Sequence, residues 1–107
     1  MILKMEKSDG TFEKVKCKKH KLTPFKAFLC IGISEDVKST SGATTYSNDG
    51  GYIYVVFKSL RDVSTCTHEA VHCVQFLEEW VNTKFDIETQ AYMTEHVFNL
   101  LVKYLEK

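Results

Sequence analysis

Residues Thr67-His68-Glu69-Ala70-Val71-His72 contain the pattern His-Glu-x-x-His, a spacing that builds a metal site when it lies on a helix. At about 100° per residue, positions four apart sit one above the other, so both imidazoles reach a single ion. Two neutral imidazoles with room for a carboxylate suit Zn²⁺. Glu69 lies beside His68, rotated about 100° around the same helix, within reach of a water on that ion. Zinc would lower the pKa of such a water to about 7, while Glu69 takes the proton and later passes it to a leaving amine. That is the chemistry of peptide-bond hydrolysis. In a chain of this composition the pattern arises by chance with a probability of roughly one per cent. The plainer alternative is an amphipathic helix whose two histidines face solvent.

A catalytic zinc takes three protein ligands and keeps one position open. The downstream candidates for the third are Asp86, Glu88, Glu95 and His96. Glu88 follows His72 by 16 positions, and nearby Ala91 is small enough to let two helices approach closely. If the first helix runs straight to Val81 and the second packs antiparallel, Glu95 and His96 lie level with His72 instead. Glu88 then requires the first helix to end early or the linker to run back, each extended residue covering about 3.3 Å. Spacing alone leaves Glu88, Glu95 and His96 open. A donor to the tetrahedral oxyanion would come from Tyr46, Tyr92 or His96. Tyr92 is displaced about 40° from Glu88 and one turn along, which places it nearer than His96.

The elements that must hold these residues divide the chain in two. From Asp62 onward Gly and Pro are absent and apolar residues recur at helical spacing, which predicts helices near 62–81 and 86–106. Asp86 is the expected N-cap of the second. On the first helix Ala70, Cys73, Val74, Leu77, Trp80 and Val81 form an apolar backing opposite the motif. Before Asp62 the signals are those of strands. Thr44-Thr45-Tyr46 and Tyr52-Ile53-Tyr54-Val55-Val56-Phe57 flank the Gly-rich turn Ser47 to Gly51, the clearest hairpin in the chain. Phe25 to Ile33 reads as a buried strand, and residues 34–43 as a loop. Residues 1–22 form a charged hairpin or arm around Ser8-Asp9-Gly10. Strands first and helices last predict one α+β domain, a twisted and mostly antiparallel sheet packed on two C-terminal helices.

Composition bounds the function classes. Fourteen Lys and Arg balance fourteen Asp and Glu in 107 residues, so the long-range field of a general nucleic-acid binder is not built in. The longest apolar run, Ala27 to Ile33, is too short to span a bilayer, and no membrane partner is expected. Met1 to Lys7 turns charged too early for a signal peptide, which implies a cytoplasmic chain with Cys17, Cys30, Cys66 and Cys73 as thiols. Cys66 and Cys73 point into the apolar backing and are read as core residues. Cys17-Lys18-Lys19-His20 has half of a zinc-knuckle spacing but no second pair, so it reads as a surface loop, with His20 solvated. Phe98, Leu101, Tyr104 and Leu105 read as core contacts of the second helix.

His-Glu-Ala-Val-His followed by Glu-x-x-Ala-Tyr, after a Gly-rich hairpin whose second strand is Tyr-Ile-Tyr-Val-Val-Phe, resembles the gluzincin zinc metallopeptidases. The likeness extends over roughly residues 44–98 and is nearest to the very small phage-encoded versions called minigluzincins. It implies a zincin-like domain, His68, His72 and Glu88 as the zinc ligands, and Glu69 as the general base. It also implies that the strand before the motif helix, Tyr52 to Phe57, is the edge on which an extended peptide lies, by strand addition. The chain lacks the C-terminal subdomain that forms one wall of the cleft in larger gluzincins. Two rival readings follow: a metal-stabilised binding protein that engages a partner through that edge without turnover, and a metal-free structural protein.

Overall fold

The computed structural model describes residues 1–6, 9–34, 43–47, 50–59 and 62–106. Five strands, β1 (Ile2–Glu6), β2 (Phe12–Leu22), β3 (Ala27–Ile33), β4 (Ala43–Ser47) and β5 (Tyr52–Phe57), precede a 3₁₀ turn at Asp62–Thr65 and two helices. The helices are α1 (Cys66–Val81) and α2 (Ile87–Leu105). The sheet order is β1-β2-β3-β5-β4. Every neighbouring pair is antiparallel except β3 with β5, which run parallel. The domain is therefore α+β, with strands gathered first and helices last. The expected loop at 34–43 lies almost wholly outside the described residues.

Strands β3 and β5 are apolar almost throughout because both of their faces are covered. Leu29, Ile31, Ile53, Val55 and Phe57 face the helices and pack with Cys66, Ala70, Cys73 and Leu77 of α1 and Val97, Leu101 and Leu105 of α2. On the other face Cys30 and Tyr54 are covered by Val15 and Cys17, with Leu3 and Met5 beside them. Strand β2 makes this possible by dividing its length: residues 12–16 pair with β1 and residues 17–22 with β3. Gly32 sits where β2 crosses closest, since a Cβ there would lie 2.8 Å from Val15 Cγ1 and 2.9 Å from Cys17 Sγ.

Three expectations change here. Cys17 to His20 belongs to β2, not to a surface loop; Cys17 is buried, and His20 is half-buried. His20 lines a cavity of about 230 Å³ with Lys18, Leu100, Lys103 and Tyr104. The lysines between the apolar positions hid the alternation that marks a strand with one covered face. The strand expected at Phe25 starts at Ala27, after a turn in which Lys26 has φ 54°. Most consequentially, Tyr52–Phe57 is not an edge: β5 lies between β3 and β4, and β4 is the edge on that side.

Helix α2 starts as its sequence predicts. The Asp86 side chain accepts the Thr89 N–H at 2.7 Å from an extended backbone, closing a donor that the first turn leaves open. These hydrogen bonds hold the Asp86 carboxyl below its ordinary range. A carboxyl lowered on folding stabilises the protein above its unfolded value of about 3.9, and that stability fades as pH falls through the lower folded value. Asp86→Ala is therefore expected to lower the melting temperature at neutral pH, and Asp86→Asn to lower it less. The gap between wild type and the alanine variant should close in thermal melts taken at progressively acid pH.

Candidate metal centre

Helix α1 runs for 16 residues without a break, burying Cys66, Ala70, Cys73, Val74 and Leu77. It ends at Asn82, whose left-handed backbone (φ 55°) lets the chain turn while its N–H bonds back to the carbonyls of Glu78 and Glu79. Trp80, expected in the buried backing, is 43% exposed. Its indole lies across the Gly51 backbone, and Nε1–H donates to the Phe25 carbonyl at 3.2 Å. Gly51 has φ 77°, and a Cβ there would stand 2.8 Å from the indole, so both the turn and the packing require glycine.

With one face of α1 buried, the motif histidines are turned outward. His68 is exposed and His72 half-buried. The rings stand at 82° with centroids 4.6 Å apart, and their Nε2 atoms are separated by 3.0 Å. His72 Nδ1 is 3.0 Å from Gln75 Oε1. An amide oxygen only accepts, so this contact places the proton on Nδ1 and leaves Nε2 with a lone pair aimed at His68. At zinc–nitrogen bonds of 2.0–2.1 Å, a 3.0 Å separation subtends about 90–100° at the ion, close to a tetrahedral angle. The two imidazoles thus fit a zinc ion.

Glu69 points to the sheet side of the helix. It is 2% exposed, its Oε1 accepts the Thr45 hydroxyl of edge strand β4 at 2.8 Å, and its Oε2 is buried with no partner among the described residues. An oxygen in that condition is an unused hydrogen-bond acceptor. Thr45→Val keeps the shape of the side chain and removes the hydroxyl, leaving Oε1 buried and unbonded as well. The expected cost is about 1–3 kcal/mol of stability, read from denaturant unfolding of the variant, with Thr45→Ser recovering most of it.

The third ligand is not assembled with the pair. Glu78 Oε2 accepts the Phe85 N–H at 2.7 Å and the Gln90 side-chain amide at 3.2 Å, which ties the start of α2 beside the end of α1. Glu88, exposed in the first turn of α2, is therefore beside the end of α1, and His72 lies nine residues, about 13 Å, before Val81. Among the described residues no group of three His, Cys, Asp or Glu side chains is placed to hold a metal. Of the two conditions that would bring Glu88 to His72, an early end of the first helix is not met, since α1 runs to Val81. Glu95 lines a groove of about 530 Å³ with Thr67, Ile87, Ala91, Thr94 and Phe98, alongside the start of α1; His96 is exposed. Tyr92 is 70% exposed, so it has no packing role that would explain it. The side chain of Tyr46 lies outside the described residues.

The cysteines take no part. All four are buried thiols. Burial, with the Glu69 charge adding to it, pushes the Cys73 thiol well up, and burial, with a contribution from Cys17, pushes Cys30 up to about 11. A thiol raised in this way is a poor nucleophile at neutral pH. Three residues at the site were absent from the sequence reading. Gln75 was within reach of it, because a side chain three positions after His72 shares its helix face. Thr45 and Glu78 act through folding contacts that spacing does not reveal. Comparisons with known protein families, curated proteins and solved structures found no match to this chain.

Proposed function

We propose that this protein is a zinc-dependent peptidase in which His68 and His72 hold the metal and Glu69 is the general base. The observation that carries the reading is the convergence of the two Nε2 atoms at 3.0 Å on the outward face of α1. When bound, zinc supplies a Lewis acid that activates water and polarises a carbonyl. The chain's own contributions are distinct. Gln75 fixes the tautomer of His72, an outer contact of the kind that tunes ligand basicity. Glu69 accepts the proton at Oε2 and returns it to the leaving amine. Edge strand β4 offers unpaired backbone groups to an extended peptide, and through Thr45 it lies directly against the base.

The fit is partial, since two of three ligands are in place. The resemblance assigns the third to Glu88, while Glu95 is the carboxylate on the groove beside α1. Metal analysis of the purified protein should give about one zinc per chain, lost in His68→Ala and in His72→Ala. Glu88→Gln and Glu95→Gln, titrated against a chelator, then identify the third ligand as the variant with weakened zinc. Zinc retained by both histidine variants would end the proposal. A second reading, a zinc-stabilised binding protein, is favoured by the burial of Glu69 against Thr45, which turns the base toward the strand. A diverse peptide library separates the two: cleavage supports the peptidase, and capture without cleavage supports the binder.

A further inference from the structure

The zero net charge is the sum of two opposed halves. Residues 1–26 carry eight lysines against three acids, and residues 62–106 carry eight acids against two lysines. The fold concentrates the first of these on one surface. Alternation along β2 sends Val15 and Cys17 into the outer core and leaves Phe12, Lys14, Lys16 and Lys18 exposed on the opposite face of the strand. The register sets Ile2 opposite Lys16, Lys4 opposite Lys14 and Glu6 opposite Phe12. Lys18 then meets Lys103 of α2 around the small cavity beneath that helix. The resulting surface holds Lys4, Lys14, Lys16, Lys18 and Lys103, and among these ribbon positions only one carboxylate, Glu6.

Lys4 and Lys14 stand directly across the β1–β2 ladder, an arrangement of like charges that weakens strand pairing. A face that carries such a cost needs an anion to offset it. Two further details select the kind. Ile2 and Phe12 are 59% and 58% exposed among these lysines; they gain free energy on leaving water for an apolar interface. The Phe12 ring already has the Lys4 ammonium over it at 4.5 Å, which takes up a face on which a base would stack.

We propose that the exposed, lysine-bearing face of the β1–β2 hairpin docks on an anionic phospholipid surface, with the lysines at the headgroups and Ile2 and Phe12 entering the interface. The inference is independent of the zinc site. No described helix is long and apolar enough to cross a membrane, a condition that does not bear on contact with its surface. The expectation of no membrane partner rested on the length of the longest apolar run, which does not register a one-sided patch.

The test is co-sedimentation of the full chain with phosphatidylcholine vesicles, with and without phosphatidylserine. Binding should require phosphatidylserine and weaken steeply with salt. Lys14→Ala and Lys16→Ala should each lower the partition coefficient about five-fold, with melting temperatures no lower than that of wild type. Phe12→Ala should lower it at low and high salt alike, because the apolar contribution is not screened. Equal partitioning onto both vesicle types, no partitioning onto either, or binding unaffected by the two lysine substitutions would overturn the proposal. Tighter binding to single-stranded oligothymidylate or to polyglutamate than to the vesicles would also overturn it, reassigning the face to that polyanion.

Discussion

Glu69→Gln is expected to leave zinc bound while peptide hydrolysis falls about 10²- to 10⁴-fold, the range a positioned proton-transfer group contributes. The argument rests on what the substitution preserves. The amide has nearly the shape of the carboxyl, so α1 stays packed, and its oxygen still accepts the Thr45 hydroxyl that Oε1 accepts now. What disappears is the capacity of the second oxygen to take a proton, and that oxygen is the one without a partner. His68 and His72 are untouched, so metal content should match wild type. Three measurements on one preparation decide it: zinc per chain, melting temperature and cleavage of a peptide library. Full activity in the variant would remove Glu69 as the base. Loss of zinc and of folding together would make Glu69 a structural residue. The Thr45→Val variant is the complementary case, since it weakens the support of the carboxylate and leaves its proton capacity intact.

The largest effect on stability is expected from Phe57→Ala. Phe57 is among the largest of the fully buried side chains, lying at the end of β5 between Ile33 of β3 and Ala43 of β4. It packs in the cluster that includes Cys66 and Ala70 of α1, so it supports the helix that carries the histidines. Truncating a buried phenylalanine removes its transfer free energy and leaves a cavity that the sheet closes only in part, about 3–5 kcal/mol in all. Domains of this size have roughly 5–15 kcal/mol in total. At about 4–8 °C per kcal/mol the melting temperature should fall by at least about 12 °C. Val71→Ala, on the exposed side of α1, is the control and should stay within about 0.5 kcal/mol. A loss below about 1 kcal/mol for Phe57→Ala would mean that β5 does not form the packed centre described.

The motif helix, its apolar backing, the β4–β5 hairpin and the Asp86 cap were legible because each depends on residues close in sequence. Period 3.6 places Cys66, Ala70, Cys73 and Leu77 on one side of α1, and the same period turns His68 and His72 to the other. The order of strands was not legible in this way. Tyr52–Phe57 announces a strand through its β-branched and aromatic residues, but its second neighbour, β3, pairs with it across 24 positions, as Phe28 does with Tyr52. One local clue was present: six apolar residues without alternation describe a strand covered on both faces, which an edge strand is not. The same limit explains the site. Spacing brings His68 and His72 together because they share one face of one helix, whereas the position of Glu88 depends on where α1 stops and how Glu78 fastens the link. The contact of Glu69 with Thr45 joins residues 24 apart, and nothing in either segment signals the other.

Trp80 is the chain's one tryptophan, and its position makes it a built-in optical reporter. The indole touches Gly51 beyond the β4–β5 turn and donates to Phe25 before β3, so it reads the seam where the last turn of α1 meets both. Bringing Glu88 to the histidines would require that end of the helix to loosen or shift. An event of that kind changes the solvation of a single ring, and its emission would follow zinc titration in unlabelled protein.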